Sequence, residues 1–272
     1  MNNFKSFLNQ KEKLNRTDTI MPVLFIGHGN PMNAIEKNEY TTAWSSIANN
    51  IRQPQAILCI SAHWQTRGTQ VTAMPKPKTI HDFSGFPPEL FNIAYQAPGS
   101  PELAEETKKI IHKTNVKLDF SWGLDHGCWS ILLPMFPNAN IPVFQLSLDY
   151  SKSPQYHYEL AQELQALRKR GVLIMGSGNI VHNLGMVQWS EKAYDWAIEF
   201  DEIIKKLIID FNHSDIINYK ALGKSAQLAI PTNEHFLPLL YTLALQRKNE
   251  SVSFFAEKTT MGSISMRSLK IS

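Results

Sequence analysis

Residues 23–31 read VLFIGHGNP, and this stretch decides the predicted fold. Four apolar residues that favour β-structure run into a histidine between two glycines, and a proline follows. The pattern predicts a buried strand that ends in a turn and holds an imidazole there. Glycine on either side lets the backbone come close to whatever His28 contacts. We therefore interpret His28 as the first candidate ligand of a metal site.

The order of a buried strand followed by a histidine occurs twice more. The run AILCIS at 56–61 leads to His63, and VLIM at 172–175 leads to His182. Strands are also expected over 69–74, 141–148, 252–255 and 264–271. Helical spacing predicts helices over 39–50 and 192–210, the second with Trp196, Phe200, Ile203 and Leu207 on its apolar face. Capping residues predict helices over 101–113 and 154–170, and a last helix over 231–246 has Thr232 or Asn233 as its candidate cap.

Alternating strands and helices predict an α/β fold. We expect a single domain with a central, largely parallel or mixed sheet flanked by helices. Ligands of open α/β sheets collect at the carboxyl ends of the strands. The three histidines that follow strands are therefore expected on one edge of the sheet.

Composition excludes several classes of protein. Hydrophobic residues make up 43% of the chain and charged residues 19%, which is typical of a folded globular protein. The formal net charge of +3 is small and its basic residues are scattered, so nucleic acid is not expected as a partner. The basic runs near 108 and 168 are interpreted as solvated helix faces. No apolar stretch is long enough to cross a bilayer.

The termini and the cysteines indicate the setting of the protein. Residues 1–20 are polar and lack the apolar segment of a secretory signal, so we expect an N-terminal extension there. Cys59 and Cys128 belong to no CxxC pair and cannot form a disulfide framework. Reduced thiols favour a cytoplasmic location.

The nine histidines divide into two groups. Three of them lie in helical or polar surroundings and are interpreted as surface or packing residues: His112, His157 and His213. Six follow strands, lie in loops or stand at a predicted helix start: His28, His63, His81, His126, His182 and His235. Any one alone is more often a structural residue than a ligand, so the prediction depends on their shared placement. Histidine and carboxylate ligands without sulfur suit zinc or non-haem iron.

Residues 75–101 form a long stretch rich in proline, glycine and aromatic residues. Long irregular segments inside a compact domain are usually functional loops or linkers. We expect this loop to pack over a site and to shape a pocket there. His81 and Asp82 are its candidate residues for contact with a substrate or for support of a metal ligand.

Two other motif readings fail. The run GSG at 176–178 does not continue as a dinucleotide fingerprint, which would need glycine at Val181. It also fails the hydrolase pattern GxSxG, because Met175 and Asn179 flank it. The chain contains no Walker A sequence.

Six motifs occur in order along the chain: GHGNPM at 27–32, SAHW at 61–64, HDFSGFP at 81–87, DHGCW at 125–129, GSGNIVHN at 176–183 and PTNEHFLPL at 231–239. Together they resemble the DOPA extradiol dioxygenase family, within the wider class III, LigB-type extradiol ring-cleaving group. The resemblance implies one LigB-like domain over residues 21–272. One departure is Asn30, where serine is usual.

The resemblance also implies a mononuclear non-haem Fe(II) site, which Zn(II) can occupy in purified protein. By motif match, His28 and His63 are metal ligands. The late ligand is Glu234 or His235. His235 is preferred, because neighbours on a helix point about 100° apart and both could not reach one ion.

Two further histidines complete the implied site. His182 matches the acid/base histidine of the wider group, and in DOPA-type members it lies near enough to be a metal ligand. Both roles remain open from the sequence. His126 is the second candidate for acid/base catalysis.

The activity implied by the resemblance is O₂-dependent cleavage of a catechol ring. The expected substrate is a catechol such as L-DOPA, cleaved at the 4,5-bond to a seco-DOPA semialdehyde. A monomer or small homo-oligomer is expected, with no nucleic acid or membrane as a partner. Two alternatives stay open: a zinc-dependent hydrolase that uses the same histidines to activate water, and a non-enzymatic metal-binding protein on the same fold.

Overall fold

The structure, a computed structural model, describes residues 20–272. The predicted N-terminal extension over 1–20 therefore lies, except for Ile20, outside the described residues. A central sheet is formed by β1 Val23–Gly27, β2 Ala56–Ser61, β6 Val143–Gln145, β8 Val172–Gly178, β9 Val252–Phe255 and β12 Ser268–Ile271. Its strand order is β6-β2-β8-β1-β12-β9. The first four strands are parallel, whereas β12 runs antiparallel to both β1 and β9.

The other elements surround this sheet. Short paired strands are β3 Gln65–Thr66, β4 Gln70–Thr72, β5 Lys117–Asp119, β7 Leu148–Asp149, β10 Thr259–Thr260 and β11 Ile264–Ser265. The α-helices are α1 Glu39–Asn49, α2 Pro88–Phe91, α3 Pro101–Ile110, α4 His126–Met135, α5 Pro154–Gln162, α6 Gln165–Arg168, α7 Asp195–Ile209, α8 His213–Ile217, α9 Lys224–Ala229 and α10 Leu237–Ala244. Short 3₁₀ helices span Pro31–Ala34, Leu184–Met186 and Tyr219–Leu222.

Hydrophobic cores cover both faces of the sheet. In β1, Val23 and Phe25 belong to one core, and Leu24 and Ile26 belong to the other. The first core includes buried residues of α5, α7 and α10, and the second includes those of α1 and α4. Burial on both faces explains why these strands read as unbroken apolar runs. The predicted α/β class with a mixed sheet flanked by helices is confirmed.

Several predicted boundaries are wrong. The helix expected over 154–170 is interrupted between α5 and α6, and the strands expected over 141–148 and 264–271 each divide in two. The last helix begins at Leu237, and neither Thr232 nor Asn233 caps it. In α7, Phe200 is buried as predicted, but the stripe continues through Ile204 and Ile208.

The basic run near 168 is only partly a solvated face, because Lys169 is exposed but Arg168 is not. The Arg168 side chain is fully buried and forms an ion pair with Glu250. Its Nε donates to the Met21 carbonyl at 2.8 Å, and its Nη1 donates to the Leu245 carbonyl at 2.6 Å. The Arg168 guanidinium thus joins the residue after α10 to the chain just before β1. The spacing of residues along one helix could not indicate this contact.

The structure can be compared with two expectations, one about membrane-spanning helices and one about the cysteines. Among residues 20–272, no helix has both the length and the apolar character needed to cross a membrane. Cys59 and Cys128 are both free and buried.

His157 gives a test of this packing that is remote from the histidines at the sheet edge. Its Nδ1 lies 3.0 Å from the Tyr241 hydroxyl and its Nε2 lies 3.2 Å from the Asp149 carbonyl. Burial lowers the pKa of His157 from 6.5 to about 4, against the opposing influence of Asp149. The unfolded chain therefore binds a proton at pH values where the folded chain does not, and stability falls as the pH decreases from about 6.5 towards 4.

We predict that the stability difference between wild type and His157→Gln shrinks over this pH range. The slope should approach about 1.4 kcal/mol per pH unit, which corresponds to one proton. Urea unfolding of both proteins between pH 7 and pH 4, with saturating metal, measures it. The exposed His112→Gln change is the control and should leave the slope unaltered. Parallel curves for wild type and His157→Gln would contradict the prediction.

Candidate metal centre

His28 follows β1 directly, and its ring orientation is set by Ser177 of the neighbouring strand β8. The Ser177 hydroxyl donates to the Gly127 carbonyl at 2.5 Å, so its oxygen is free to accept from His28 Nδ1 at 2.9 Å. This arrangement favours the tautomer of His28 that carries hydrogen on Nδ1. The lone pair of Nε2 is then available for a metal ion.

His63 lies two residues beyond β2 and faces His28. The two Nε2 atoms are 3.3 Å apart. Two nitrogens bonded at about 2.1 Å to one ion lie about 3.0 Å apart at a right angle and about 3.4 Å apart at the tetrahedral angle. The observed separation therefore fits two ligands of a single ion.

His235 reaches the same place from a turn before α10. Its carbonyl accepts from Asn179 N–H at 2.9 Å. A Cβ at Gly178 would lie 2.1 Å from that carbonyl oxygen, so glycine is needed for this approach. Its ring centroid lies 5.2 Å from that of His28 and 5.0 Å from that of His63. The three rings form a nearly equilateral group.

Glu234 contacts the ring of His235, and the two residues do not lie on a helix. Its Oε1 lies 2.9 Å from His235 Nδ1, and the pair lies in a turn that ends before α10. The helical argument against both residues reaching one ion was therefore wrong in its premise. With Nδ1 facing a carboxylate, His235 presents Nε2. That buried atom has no hydrogen-bond partner within residues 20–272, which fits a metal ligand.

Two more histidines border this group. The His182 ring stacks on that of His235 with centroids 3.4 Å apart and planes 9° apart. His126 begins α4, and its ring centroid lies 3.8 Å from that of His63. The three histidines expected at the sheet edge, His28, His63 and His182, thus lie together, and His126 and His235 join them.

The histidines of the group are held neutral. Burial, reinforced by the charges of neighbouring histidines, sets the pKa values of His28 and His235 well below 6.5. Burial likewise lowers the pKa of His63 to about 3 and that of His182 to about 4, although Asp82 and Glu234 oppose these shifts. Neutral imidazole is the form that binds metal ions, so the site needs little deprotonation at neutral pH.

The histidines lie at the base of a cavity of about 520 Å³. Such a volume suits a small organic molecule. Its other walls are apolar and aromatic for the most part: Gly29, Pro31, Phe83, Phe86, Leu184, Val187, Trp189, Met261 and Ile264, with Asn30 and Asp82 as polar members. The proline- and aromatic-rich loop therefore shapes the pocket, as expected, through Asp82, Phe83 and Phe86.

The two candidate residues of this loop, His81 and Asp82, differ in whether they line the cavity. Asp82 lines the cavity. His81 does not, because its Nε2 lies 3.0 Å from the Ile93 carbonyl and its ring packs edge-on against Phe83 and Trp129. The expectation for His81 as a residue of the pocket is therefore wrong.

Gly27 and Gly29 were expected to let the backbone approach the groups that His28 contacts, but the structure places them against Met266. A Cβ at Gly27 would lie 2.7 Å from the backbone of Met266. Gly29 has φ of +59°, and a Cβ there would lie 2.4 Å from Met266 Sδ. Both glycines make room for Met266. The histidine ring of His63 lies instead against Gly127, where a Cβ would lie 2.8 Å from His63 Cδ2.

Sequence reasoning missed a buried polar network below the histidines. Asp125 accepts from the Ser61 hydroxyl at 2.6 Å and from Gln145 Nε2 at 2.7 Å. Burial raises the pKa of Asp125, with a further contribution from the charge of Asp82, while the Ser61 and Gln145 hydrogen bonds oppose the rise. Asp125 also caps α4, so it fixes the start of the helix that carries His126. Its position directly before a histidine motif was the available signal.

Neutral histidines at the carboxyl ends of parallel strands, below an aromatic pocket, define the class as a metal-dependent enzyme that acts on a small molecule. The family described as the catalytic LigB subunit of aromatic ring-opening dioxygenase matches residues 22–267. The chain belongs to the LigB family and is an aromatic ring-cleaving dioxygenase.

Individual relatives agree with this family. A 4,5-DOPA dioxygenase extradiol of Escherichia coli K12 is 44% identical, over 94% of this chain and 96% of that protein. One of Beta vulgaris with the same description is 35% identical, over 93% and 97%. A crystal structure of an uncharacterized protein from Escherichia coli K12 superposes with a TM-score of 0.81 at 41% identity, covering 93% of this chain and all of that one.

The hydrogen bond between Ser177 and His28 gives a test of the site. We predict that Ser177→Ala lowers the affinity for a divalent metal about tenfold, because loss of a partner that orients a ligand typically costs 10–100-fold. Competition with a chromophoric chelator measures it. Ser84→Ala, an exposed position of the loop, is the control. Equal affinity of Ser177→Ala and wild type would show that His28 does not need this bond.

Proposed function

We propose that the chain is a non-haem Fe(II)-dependent extradiol dioxygenase that opens the ring of a catechol such as L-DOPA with O₂, by 4,5-cleavage to a seco-DOPA semialdehyde. The observation that carries the proposal is the group of His28, His63 and His235 rings, 5.0–5.2 Å apart, at the base of an aromatic cavity. The relatives described as 4,5-DOPA dioxygenases support the choice of substrate.

The proposed ligands are His28, His63 and His235. Nitrogen ligands without sulfur suit Fe(II), and three protein ligands leave open positions for small molecules. When bound, the ion supplies the redox chemistry between the catechol and O₂. Zn(II) fits the same donors but carries no redox chemistry, so a zinc-loaded protein should be inactive.

His182 is proposed as an acid/base residue rather than a fourth ligand. A ring nitrogen donates its lone pair in the plane of the ring. The His182 and His235 planes are almost parallel and their centroids are 3.4 Å apart, so the in-plane lone pairs of the two stacked rings would not converge on one point. Its lowered pKa keeps His182 neutral at pH 7, ready to accept a proton from a phenolic oxygen.

His126 is the second proposed acid/base residue, and the aromatic walls position the substrate. His126 lines the cavity on the side of Phe83, and their rings meet edge-on with centroids 5.5 Å apart. Phe83 and Phe86 pack edge-to-face with their planes 85° apart, and they give the cavity an aromatic wall for a catechol ring. Filling this cavity also excludes water from the histidines.

The activity has a direct test. Protein loaded with Fe(II) without oxygen and then mixed with L-DOPA in air should form a yellow ring-opened semialdehyde and consume one O₂ per product. An oxygen electrode and absorbance measure both quantities, with protocatechuate as a comparison substrate. The zinc-loaded protein and His63→Ala are controls expected to be inactive. A wild-type protein with verified iron that opens no catechol would refute the proposal, and amide or ester hydrolysis with zinc would favour a hydrolase.

The late ligand has a separate test. We predict that His235→Gln lowers metal affinity more than 100-fold, because it removes a ligand. Glu234→Gln keeps an oxygen that can accept from His235 Nδ1 and should cost about tenfold. Chelator competition with Zn(II) measures both variants. A larger loss in Glu234→Gln than in His235→Gln would make the glutamate the ligand.

A further inference from the structure

One carboxylate connects the irregular loop to two histidines of the centre. Asp82 Oδ1 accepts from the backbone N–H of His126 at 2.9 Å and lies 3.0 Å from Nδ1 of the same residue. Its Oδ2 lies 3.7 Å from His63 Nδ1. The backbone of Asp82 faces solvent, but its side chain is only 19% exposed. The carboxylate is therefore turned inward from a loop at the surface.

We propose that Asp82 is a positioning residue for ring cleavage. It holds the His126 ring with Nδ1–H towards the loop, and it thereby presents the unprotonated Nε2 to the bound catechol. This inference rests on the proposed function, since it assigns the orientation of one of its two acid/base residues. It assigns Asp82 a role that acts through His126 and not as a ligand of the ion.

The tautomer follows from electrostatics. Oδ1 and Nδ1 are 3.0 Å apart, and two lone pairs at that distance would repel each other. A hydrogen on Nδ1 turns the contact into an attraction, although its oblique direction makes it an electrostatic contact and not an aligned hydrogen bond. The aligned bond is the one that Oδ1 accepts from the His126 backbone. Asp82 thus fixes both the start of α4 and the ring that α4 carries.

The same residue sets the distance between His126 and the wall of the pocket. Phe83 follows Asp82 in the chain, and its ring meets the His126 ring edge-on at 5.5 Å. Phe83 also packs on Phe86 and Phe91, at 5.4 Å and 5.0 Å between centroids. If the Asp82 carboxylate lost its contact, both Phe83 and His126 would be free to move. The positions of the substrate ring and of the acid/base residue therefore depend on this one contact.

The first test separates positioning from metal binding. Asp82→Asn keeps the size of the side chain and an oxygen for the His126 backbone but removes the charge. We expect kcat to fall 10–100-fold while metal content and KM stay within about threefold. Asp82→Glu should regain part of the lost kcat. Glu89→Gln, a neutralised acid at an exposed position of α2, is the matched control and should behave like wild type.

The second test does not require activity. Long-range ¹H–¹⁵N spectra of the diamagnetic zinc-loaded protein report which ring nitrogen of His126 carries hydrogen. Wild type and Glu89→Gln should show the Nδ1–H tautomer, and Asp82→Asn a mixture. An Nε2–H tautomer in the wild type, or the same tautomer and kcat in Asp82→Asn as in wild type, overturns the inference.

Two further outcomes keep the proposals apart. Loss of metal from Asp82→Asn in proportion to its loss of kcat would mean that Asp82 acts through His63, and this also overturns the inference. A wild-type protein that opens no catechol refutes the proposed function instead, while the spectra still decide whether Asp82 holds His126.

Discussion

The parallel register of β1, β8 and β2 is the constraint on which the centre depends. Gly27 pairs with Gly178, and Ser61 pairs with Ser177, so the three strands end level with one another. The residues that follow each strand therefore emerge at one edge. A slip of one residue would also turn Ser177 to the opposite face of the sheet and remove the hydrogen-bond partner of His28.

The histidine group is costly to keep in the fold without an ion. His235 Nε2 is buried without a protein partner within residues 20–272, and an unsatisfied buried polar atom costs about 1–3 kcal/mol. Neutral rings avoid the larger cost of buried charge, which is the physical meaning of the lowered pKa values of His28 and His63. An ion bound there would remove the cost of the unsatisfied His235 Nε2 and would account for the close packing of the rings.

The sequence predicted those parts of the protein that local pattern encodes. Apolar runs that end in His28, His63 and His182 gave the strands, their common edge and most of the site. Glycine is needed at position 27 because the backbone of Met266, far along the chain, lies against it. The pairing of β12 with β1 brings these two residues together. Burial of Arg168 likewise depends on Glu250. Such partners are set by tertiary contact, which no local period reveals.

The carboxylates of the site support the histidines from behind. Glu234 faces Nδ1 of His235, and Asp82 faces Nδ1 of His126 and His63. Each carboxylate favours a hydrogen on Nδ1 and leaves Nε2 towards the cavity. Ser177 does the same for His28 without a charge. A carboxylate bonded directly to an ion would neutralise more of its charge than a carboxylate behind a ring would, because the second stands farther from the ion.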